Sequence, residues 1–431
     1  MRKTRFNGPG IVLFSVILTF LWAATAMANE KQLLAAIDEQ AGSYRAVSQK
    51  IFDYKELGQQ EFKSSQLLME ELRKLGFKVE GDLKVPDDLI KGGVAKTAFR
   101  AELAGKDPGP TITIMLEYDA LPNGHSCGHN LSSTSGLLAA AGLPKLMKET
   151  PGRLVVIGTP DEERGSLGGG KTALLEGGHF QGSDVVLITH PGDSWSTDQR
   201  FLAMKRATFY FKGKAAHAAS APHQGVNALR AAILTFNSVD MLREHLRQDV
   251  RIHGIIKKGG EAVNVVPALA EAEFAARALD TATMEDAYKK MVNCAKAAEL
   301  ATGAKLEFKE PRASLKAPIA VPSLTVLMLA KMKTQGITEK DIKDKDDFGS
   351  SDLGNVAHAY PTFNLPFKIA PAGTAGHSDA LREAASSEEG WKATVTAGKI
   401  VALAAYEMLR NPARVKEIHE SFKEAKAKEG K

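Results

Sequence analysis

The sequence predicts an α/β fold in which a second, smaller domain is inserted into the first. Short β-branched apolar runs alternate with helical segments in the N-terminal half, as in a parallel sheet covered by helices. Between residues 205 and 311 the order changes to β-α-β-β-α-β, the ferredoxin-like pattern. At 431 residues, the chain is also longer than one hydrophobic core usually supports.

The composition is that of a globular protein. Apolar residues make up 44% of the chain and charged residues 25%, which are ordinary values for a chain with a packed core. The formal net charge of +5 is spread thinly and forms no basic stripe. We therefore expect no nucleic-acid partner.

Residues 1–28 have the pattern of a secretory signal peptide. Three basic residues precede an almost entirely apolar run at 11–24, and Ala26-Met27-Ala28 fits an A-x-A cleavage site. An uncleaved anchor is the alternative, because an apolar run of this length could span a bilayer. We expect cleavage, export to the periplasm or the medium, and no stable membrane association of the mature chain.

The first domain is predicted to comprise residues 29–204 and 312–431. Its N-terminal part, 31–75, is predicted to be mostly helical, with a polar interruption at 54–61. Its predicted strands lie at 95–103, 111–116, 153–158 and 185–189, and its later helices at 323–335 and 391–410. The Lys/Glu-rich tail from Val415 is predicted to be a solvated helix or a frayed end.

The inserted domain is predicted to comprise residues 205–311. Its elements, in order, are a strand at 207–214, a helix at 226–246, strands at 250–257 and 271–279, a helix at 283–301 and a strand at 305–309. A unit of this size could cover a site in the first domain or extend a sheet edge across a twofold axis.

The segment 117–130 carries the strongest chemical signal. It follows the predicted strand at 111–116 and offers His125, Cys127 and His129 within a few residues. Thiolate and imidazole are suited to transition metals, so a metal site is favoured over structural burial. A helix is expected after it, with Asn130 and Ser132 as candidate caps.

Three further groups follow predicted strands or flexible loops. Glu162 and Glu163 come directly after the strand at 153–158, where one carboxylate could bind metal while the other acts as a general base. His190 ends the run at 185–189, and His377 lies in a Gly-rich loop. Each is weak alone, but ligand-type residues at several strand ends favour a shared site.

One competing motif suggests a nucleotide-binding protein. Residues 165–172 match the P-loop pattern G-x-x-x-x-G-K-[ST], with Lys171 in the phosphate-binding position. A P-loop requires a strand running straight into its first glycine, whereas three carboxylates and Arg164 intervene here. We therefore regard the match as fortuitous and keep nucleotide binding as an alternative.

Taken together, these groups resemble the amidohydrolase branch of the two-metal aminoacylase/carboxypeptidase family. That branch includes indole-acetyl-amino-acid hydrolases, aminobenzoyl-glutamate hydrolases and related dipeptidases. The resemblance covers nearly the whole chain after residue 28. The matching segments are Glu117-Tyr-Asp-Ala-Leu-Pro122, Gly124-His-Ser-Cys-Gly-His-Asn130, Gly158-Thr-Pro-Asp-Glu-Glu163, His190-Pro191, Gly213-Lys-Ala-Ala-His217, Asn264-Val-Val-Pro267, Gly349-Ser-Ser-Asp-Leu-Gly-Asn355 and His377-Ser378.

The resemblance implies a catalytic α/β metallopeptidase domain, a ferredoxin-like lid that serves dimerisation, and two divalent metal ions, zinc or manganese. It implies Glu162 as the general base, and His217 and Asn264 on the lid as substrate-binding residues. The implied metal ligands are Cys127, which bridges both ions, His129, Glu163, His190 and His377. Glu117 departs from relatives outside this branch, which carry a metal-binding His there, and Cys127 replaces their bridging Asp.

The expected protein is thus an exported, metal-dependent amidohydrolase or dipeptidase. It would hydrolyse the amide bond of an N-acyl or aminoacyl amino acid, such as an aminobenzoyl-glutamate-like compound or a dipeptide, and release a free amino acid. A homodimer is expected, with His217 acting in the partner's site. The alternatives are the P-loop protein and a non-catalytic relative that uses the fold as an interaction surface.

Overall fold

The computed structural model describes residues 10–86, 97–163, 169–310, 314–344 and 348–429, with side chains from residue 27 onward. Within these ranges the chain forms two sheets, each covered by helices. The strands are β1 Lys78–Gly81, β2 Phe99–Ala104, β3 Thr111–Leu116, β4 Arg153–Gly158, β5 Val185–Gly192, β6 Ala203–Lys212, β7 Arg251–Lys258, β8 Leu269–Ala278, β9 Lys305–Lys309 and β10 Thr362–Lys368.

The helices surround both sheets. They are α1 Gly10–Tyr54, α2 Phe62–Lys74, α3 His129–Ala141, α4 Pro144–Met147, α5 Gly169–Glu176, α6 Ala228–Leu242, α7 Thr281–Thr302, α8 Pro322–Thr334, α9 Leu353–Ala359, α10 Asp379–Ala384, α11 Glu388–Arg410 and α12 Pro412–Lys426, with short 3₁₀ turns at Pro222–Gln224 and Arg243–His245.

The first sheet has the strand order β1-β2-β4-β3-β5-β10. Strands β4, β3, β5 and β10 are parallel, while β2 and β1 add an antiparallel edge. Alternate residues of the central strands enter different cores. In β4, for example, Val156 belongs to the cluster under α1, α3 and α11, and Val155 to the cluster with α5 and α9. Burial on both faces explains why these strands read as continuous apolar runs.

The second sheet is antiparallel, with the order β7-β8-β6-β9 and with α6 and α7 packed on one face. This confirms the predicted β-α-β-β-α-β unit, and the α/β fold class is likewise confirmed. Its core is made largely of alanine and phenylalanine side chains, such as Phe209, Phe211 and Phe274. We call this unit, β6 to β9, the lid.

Helix α3 begins at a different residue from the one predicted. It starts at His129 after Gly128, whose left-handed backbone has φ of +77°. Asn130 and Ser132 lie inside the helix and do not cap it. A Cβ on residue 128 would lie 2.7 Å from Cγ of Pro191, so glycine is required both by the backbone and by the close approach.

The C-terminal tail is a helix that packs against the body. In α12, the side chains of Val415 and Ile418 are buried in the main core, and Asn411 caps the helix by accepting from the Arg414 amide. The predicted helix is therefore present and largely exposed, but it is not fully solvated, because Val415 and Ile418 pack in the core. Phe422 also packs against this core, but three apolar residues at helical spacing are a weak signal among so many charged neighbours.

Helix α1 runs unbroken from Gly10 to Tyr54, and residues 1–9 lie outside the described range. Among the side chains that the structure describes, Asn29 contacts the body, its Nδ2 donating to the Tyr406 hydroxyl over 2.8 Å. Leu33 and Ile37 are fully buried, whereas Met27 is 67% exposed. Among the helices searched in the described part of the chain, none combines the length and apolar character needed to cross a membrane.

Candidate metal centre

The candidate ligands lie at one edge of the first sheet. Strands β4, β3 and β5 are parallel neighbours, so their carboxyl ends meet at the same edge. Glu117 follows β3, Glu162 and Glu163 lie shortly beyond β4, and His190 lies within the end of β5. His377 arrives on the loop after β10, the next parallel strand. The topology therefore brings together groups that are up to 260 residues apart in the chain, from Glu117 to His377.

Five of the predicted site residues form two overlapping groups of ligand atoms. Cys127, His129 and His190 form one group, and Cys127, Glu163 and His377 form the other. In each group the ligand atoms lie within 4.8 Å of one another. Because Cys127 belongs to both groups, the arrangement suits two cations that share its sulfur.

The separations between individual atoms support this grouping. Cys127 Sγ lies 3.4 Å from His190 Nε2, and His377 Nε2 lies 3.4 Å from Glu163 Oε2. His129 Nε2 lies 3.8 Å from the other Glu163 oxygen, Oε1. These spacings are those of donors arranged around a common centre.

Buried ligand atoms without hydrogen-bond partners show whether these residues suit a metal ion. Among the described residues, His129 Nε2 and Glu163 Oε1 are buried and have no hydrogen-bond partner, and the same is true of Glu117 Oε2. A buried polar atom left unsatisfied costs free energy, so such atoms are rare and require an explanation. Divalent cations coordinated by imidazole, carboxylate and thiolate would provide it.

Asp119 fixes the orientation of two of these ligands. His129 Nδ1–H donates to Asp119 Oδ1 over 2.8 Å, which leaves Nε2 as the ligand atom. The Glu163 amide donates to Asp119 Oδ2 over 2.9 Å. A carboxylate behind a ligating histidine holds the ring and strengthens it as a ligand.

Burial and charge shift the pKa values of the ligands. Burial raises the pKa of the Cys127 thiol, and it raises the pKa of Glu163 to about 7 although His129 opposes it. Burial disfavours a charged His129, but Cys127, Asp119 and Glu117 outweigh it and raise the pKa of this imidazole. The centre thus collects groups whose anionic forms need a nearby cation, and cation binding would release protons.

Glu162 lies beside the ligands and is held differently. Its Oε1 accepts a hydrogen bond of 2.7 Å from the Ser351 hydroxyl. It shares the site cavity with Glu163, and one grouping of ligand-type atoms includes it with His129 and Glu163. The adjacent carboxylates therefore do have different surroundings, as an irregular strand end allows.

His125 is not part of the centre, although the sequence offered it as a third ligand-type residue. Its Nε2 is 2.9 Å from the Ile51 carbonyl oxygen, and its ring stacks on Phe52. Burial lowers the pKa of His125 to about 4, so the ring is neutral. The turn before α3 directs Cys127 and His129 inward and His125 toward α1.

Lys171 contradicts the P-loop interpretation. Its ammonium group is fully buried and lies 2.8 Å from Glu117 Oε1 and 2.7 Å from Asp352 Oδ1. A lysine engaged by two carboxylates is not available to bind phosphate groups. The first residues of the motif, including Gly165, lie outside the described residues.

His217 and Asn264 lie together on the lid and away from the metal centre. The Asn264 carbonyl oxygen accepts from the Ala218 amide over 2.9 Å, and His217 forms a backbone bridge with Val265. Both side chains are exposed, and neither is among the residues that line the cavity of the metal centre. Within one chain, the structure does not bring them to the site.

The cavity over the centre has a volume of about 330 Å³ and is closed on one side by the lid. Arg206 of β6 and Arg277 of β8 line it together with Glu117, Glu162 and Glu163. Sequence reasoning missed these residues, as it missed the roles of Lys171, Ser351 and the buried Glu61. No clear signal for the arginines was present in the sequence, since β6 also contains Lys205 and Lys212, and β8 also contains Glu271 and Glu273.

Comparison with known proteins agrees with this geometry. Residues 203–302 match the model of the peptidase dimerisation domain of the M20 family. The chain is 34% identical to a mouse (Mus musculus) Xaa-Arg dipeptidase over 339 residues, covering 76% of this chain and 78% of the relative. It is 32% identical to the human (Homo sapiens) Xaa-Arg dipeptidase over 407 residues, covering 90% of each.

The chain belongs to the M20 family. It is also 32% identical to one of the chains of the p-aminobenzoyl-glutamate hydrolase of Escherichia coli K12, over 64% of this chain and 60% of that relative. The fold recurs in a solved protein from methicillin-resistant Staphylococcus aureus, with a TM-score of 0.73 and 19% identity over 88% of this chain and 100% of that one. As an M20 member the protein is a metal-dependent hydrolase, and the suspected family is confirmed.

A dinuclear metal-binding peptidase of the M20 family from Bacillus subtilis has the same fold, with a TM-score of 0.62 and 18% identity over 88% of this chain and 99% of that one. In this chain, the two overlapping ligand groups are compatible with a centre for two metal ions. The alternative of a non-catalytic interaction module receives no support, because the M20 relatives are hydrolases and the five predicted ligand residues lie together.

Proposed function

We propose that the protein hydrolyses the amide bond of N-acyl or aminoacyl amino acids, using two zinc or manganese ions and Glu162. The observation that carries the proposal is the pair of ligand groups that share Cys127, with Glu162 beside them in one cavity. Cys127, His129, Glu163, His190 and His377 would hold the ions. When bound, the ions polarise the scissile carbonyl and acidify a water molecule.

Glu162 would move the protons of the reaction. Its carboxylate faces the cavity but is not needed to complete either ligand group that shares Cys127. It would accept a proton from the attacking water and deliver it to the leaving amine, which departs as a free amino acid. The Ser351 hydroxyl on Oε1 leaves Oε2 for this transfer.

Arg206 and Arg277 would orient the substrate through its free carboxylate. They line the lid side of the cavity, and Arg206 has no acidic partner among the residues that the structure describes. Unneutralised guanidinium groups in a cavity favour an anionic ligand. The relatives include a dipeptidase and an aminobenzoyl-glutamate hydrolase, whose names both describe substrates ending in an amino acid.

The dimer is part of the proposal. The matched dimerisation domain, the exposed edge strand β7 and the exposed apolar residues Ile255, Val263 and Val265 support a homodimer formed through the lid. His217 lies next to Val265 on this surface and outside its own cavity. It would therefore act, with Asn264, on the substrate and its developing oxyanion in the partner's site.

Export remains part of the proposal as well. The basic residues, the apolar run and the A-x-A site within residues 1–28 support a mature chain that begins after Ala28. The test is N-terminal sequencing of the protein recovered from the periplasmic and membrane fractions of the source cell. A membrane-bound chain that retains residues 1–28 would favour the anchor instead.

The decisive experiment combines metal analysis with a substrate screen. Protein prepared without chelator should contain two zinc or manganese ions per chain, and it should hydrolyse some N-acyl amino acids or dipeptides. Matched substrates in which the terminal carboxylate is converted to an amide should react poorly. Full activity on such carboxamides, or activity that survives complete metal removal, would contradict the proposal.

A further inference from the structure

The hydroxyl group of Ser351 determines how Glu162 is held. Ser351 Oγ lies 2.7 Å from Glu162 Oε1, and because an ionised carboxylate only accepts, the hydroxyl is the donor. The same oxygen accepts from the Leu353 amide over 3.2 Å. This second bond occupies a lone pair of the serine oxygen and so favours the rotation that points its hydrogen at Glu162.

The residue after Ser351 is anchored in the core. Asp352 accepts from the Lys171 ammonium group at Oδ1 over 2.7 Å and from the Lys171 amide at Oδ2 over 2.8 Å. Both side chains are buried, and a Cβ on Gly169 would lie 2.2 Å from Asp352 Oδ2. A carboxylate enclosed and bonded in this way fixes the backbone on one side of Ser351.

The residue before Ser351 is connected to the lid. Arg277 Nη1 of β8 donates to Ser350 Oγ over 3.2 Å. Arg277 also lines the cavity. Its Nε–H donates to His253 Nε2 over 3.2 Å, and its Nη2 group has no hydrogen-bond partner among the described residues. Residues 350–352, which we call the serine segment, therefore join a buried lysine, the carboxylate of Glu162 and an arginine of the lid.

We propose that Ser351 is a positioning residue for Glu162, and that the Arg277–Ser350 contact makes this positioning depend on the placement of the lid. Among the described residues, the bond from Ser351 is the single hydrogen bond of the Glu162 carboxylate. Without it, the carboxylate can rotate about its terminal torsion and present either oxygen at a wrong angle. The inference rests on the proposed function, because it takes Glu162 as the base.

The test compares variants of the metal-loaded, full-length protein. Ser351→Ala should lower kcat by about tenfold or more, since small misplacements of a general base are costly, while KM and metal content stay within about twofold of wild type. Ser351→Thr keeps a hydroxyl and should recover most of that loss. A kcat of Ser351→Ala within twofold of wild type would overturn the proposal, as would a threonine variant as slow as the alanine variant.

Two further variants separate this inference from its premises. In a Glu162→Gln background, Ser351→Ala should change the residual rate less than twofold, because both changes act through one group. A full additional loss there would show that Ser351 acts elsewhere. If Glu162→Gln itself kept normal turnover, the proposed function would fail instead.

Ser350→Ala tests the connection to the lid. Removal of the Arg277 contact should lower kcat by about twofold to fivefold with unchanged metal content, a smaller effect than that of Ser351→Ala because Asp352 still anchors the segment. An unchanged kcat in Ser350→Ala would remove the lid from the proposal.

Discussion

At Glu162 and Glu163, two adjacent carboxylates have different neighbours. Glu163 lies among His129, Cys127 and His377, and its amide is held by Asp119. Glu162 is held by a neutral hydroxyl and belongs to neither ligand group that shares Cys127. The same residue type can thus bind metal in one position and move protons in the next, because the surroundings differ.

We predict that Glu162→Gln lowers turnover to a small residual rate but leaves bound metal nearly unchanged. The neutral amide keeps the shape of the side chain but cannot accept the proton of the attacking water. Glu163→Gln, the matched control, should lose metal together with activity, because it removes a ligand charge. Metal content by elemental analysis beside kcat is the measurement, and equal metal loss in both variants would refute the division of roles.

Glu61 lies behind the strand end that carries both carboxylates. It is fully buried, and its Oε1 accepts from the amide of Asp161, whose φ is +60°. Burial, with help from Asp119, raises the pKa of Glu61 to about 8 from an ordinary value of 4.5. The folded chain therefore holds this proton more tightly than the unfolded chain does.

The pH dependence of stability follows from that shift. Between about pH 4.5 and 8, Glu61 makes the folded state bind more protons than the unfolded state, so its contribution to stability falls as the pH rises. The free energy of unfolding of Glu61→Gln, relative to that of wild type, should therefore be higher at pH 8.5 than at pH 5.5. The expected increase is on the order of 1 kcal/mol or more. Urea unfolding at both pH values is the measurement. The exposed Glu70→Gln is the control, and an identical difference at both pH values for Glu61→Gln would contradict the assignment.

At the scale of elements, the turn into α3 directs the metal ligands. Gly128 occupies a left-handed conformation against Pro191, between Cys127 and His129. The turn therefore couples the end of β5 to the start of α3. Asp119, beyond β3, completes the frame by holding the His129 ring.

We predict that Gly128→Ala destabilises the fold and weakens metal binding. The added Cβ must enter a left-handed backbone, which costs roughly 1–2 kcal/mol, and it must also displace Pro191 next to His190. Gly182→Ala is the matched control, because Gly182 has φ of +81° but open space around its Cβ position. Gly182→Ala should lose only the backbone contribution and keep its metal. A Gly128→Ala protein that retains both ions after dialysis against chelator as well as wild type does would count against this explanation.

At the scale of the whole molecule, the cavity is assembled by two domains. The first sheet supplies the ligands and the lid supplies Arg206 and Arg277, while His217 lies outside the cavity of its own chain. A site that uses His217 therefore needs either a large movement of the lid or a second chain. The matched dimerisation domain favours the second chain.

We predict that two inactive variants, Glu162→Gln and His217→Ala, complement each other when their subunits exchange. In a mixed dimer, one site combines an intact Glu162 from one chain with an intact His217 from the other. Random pairing at equal amounts should restore roughly a quarter of wild-type activity. If His217 acts within its own chain, every site carries a lesion, and proven exchange without recovery would exclude action in trans.

The sequence by itself determined the fold class, the order of elements in the lid and the residues that meet at the sheet edge. It could do so because buried parallel strands appear as apolar runs, and parallel neighbours deliver their carboxyl ends to one place. The sequence motifs around Cys127 and Glu162 then indicated the family, which the comparisons confirmed.

Only the tertiary structure decided which of the neighbouring side chains face the centre. His125 and His129 are equally good ligands in the sequence, yet a left-handed glycine and the approach of Ile51 separate them. The contacts of Lys171 with Asp352 and of Ser351 with Glu162 span 181 and 189 residues. Such contacts leave no local periodicity, because they depend on how distant segments pack, and packing is a property of the assembled chain.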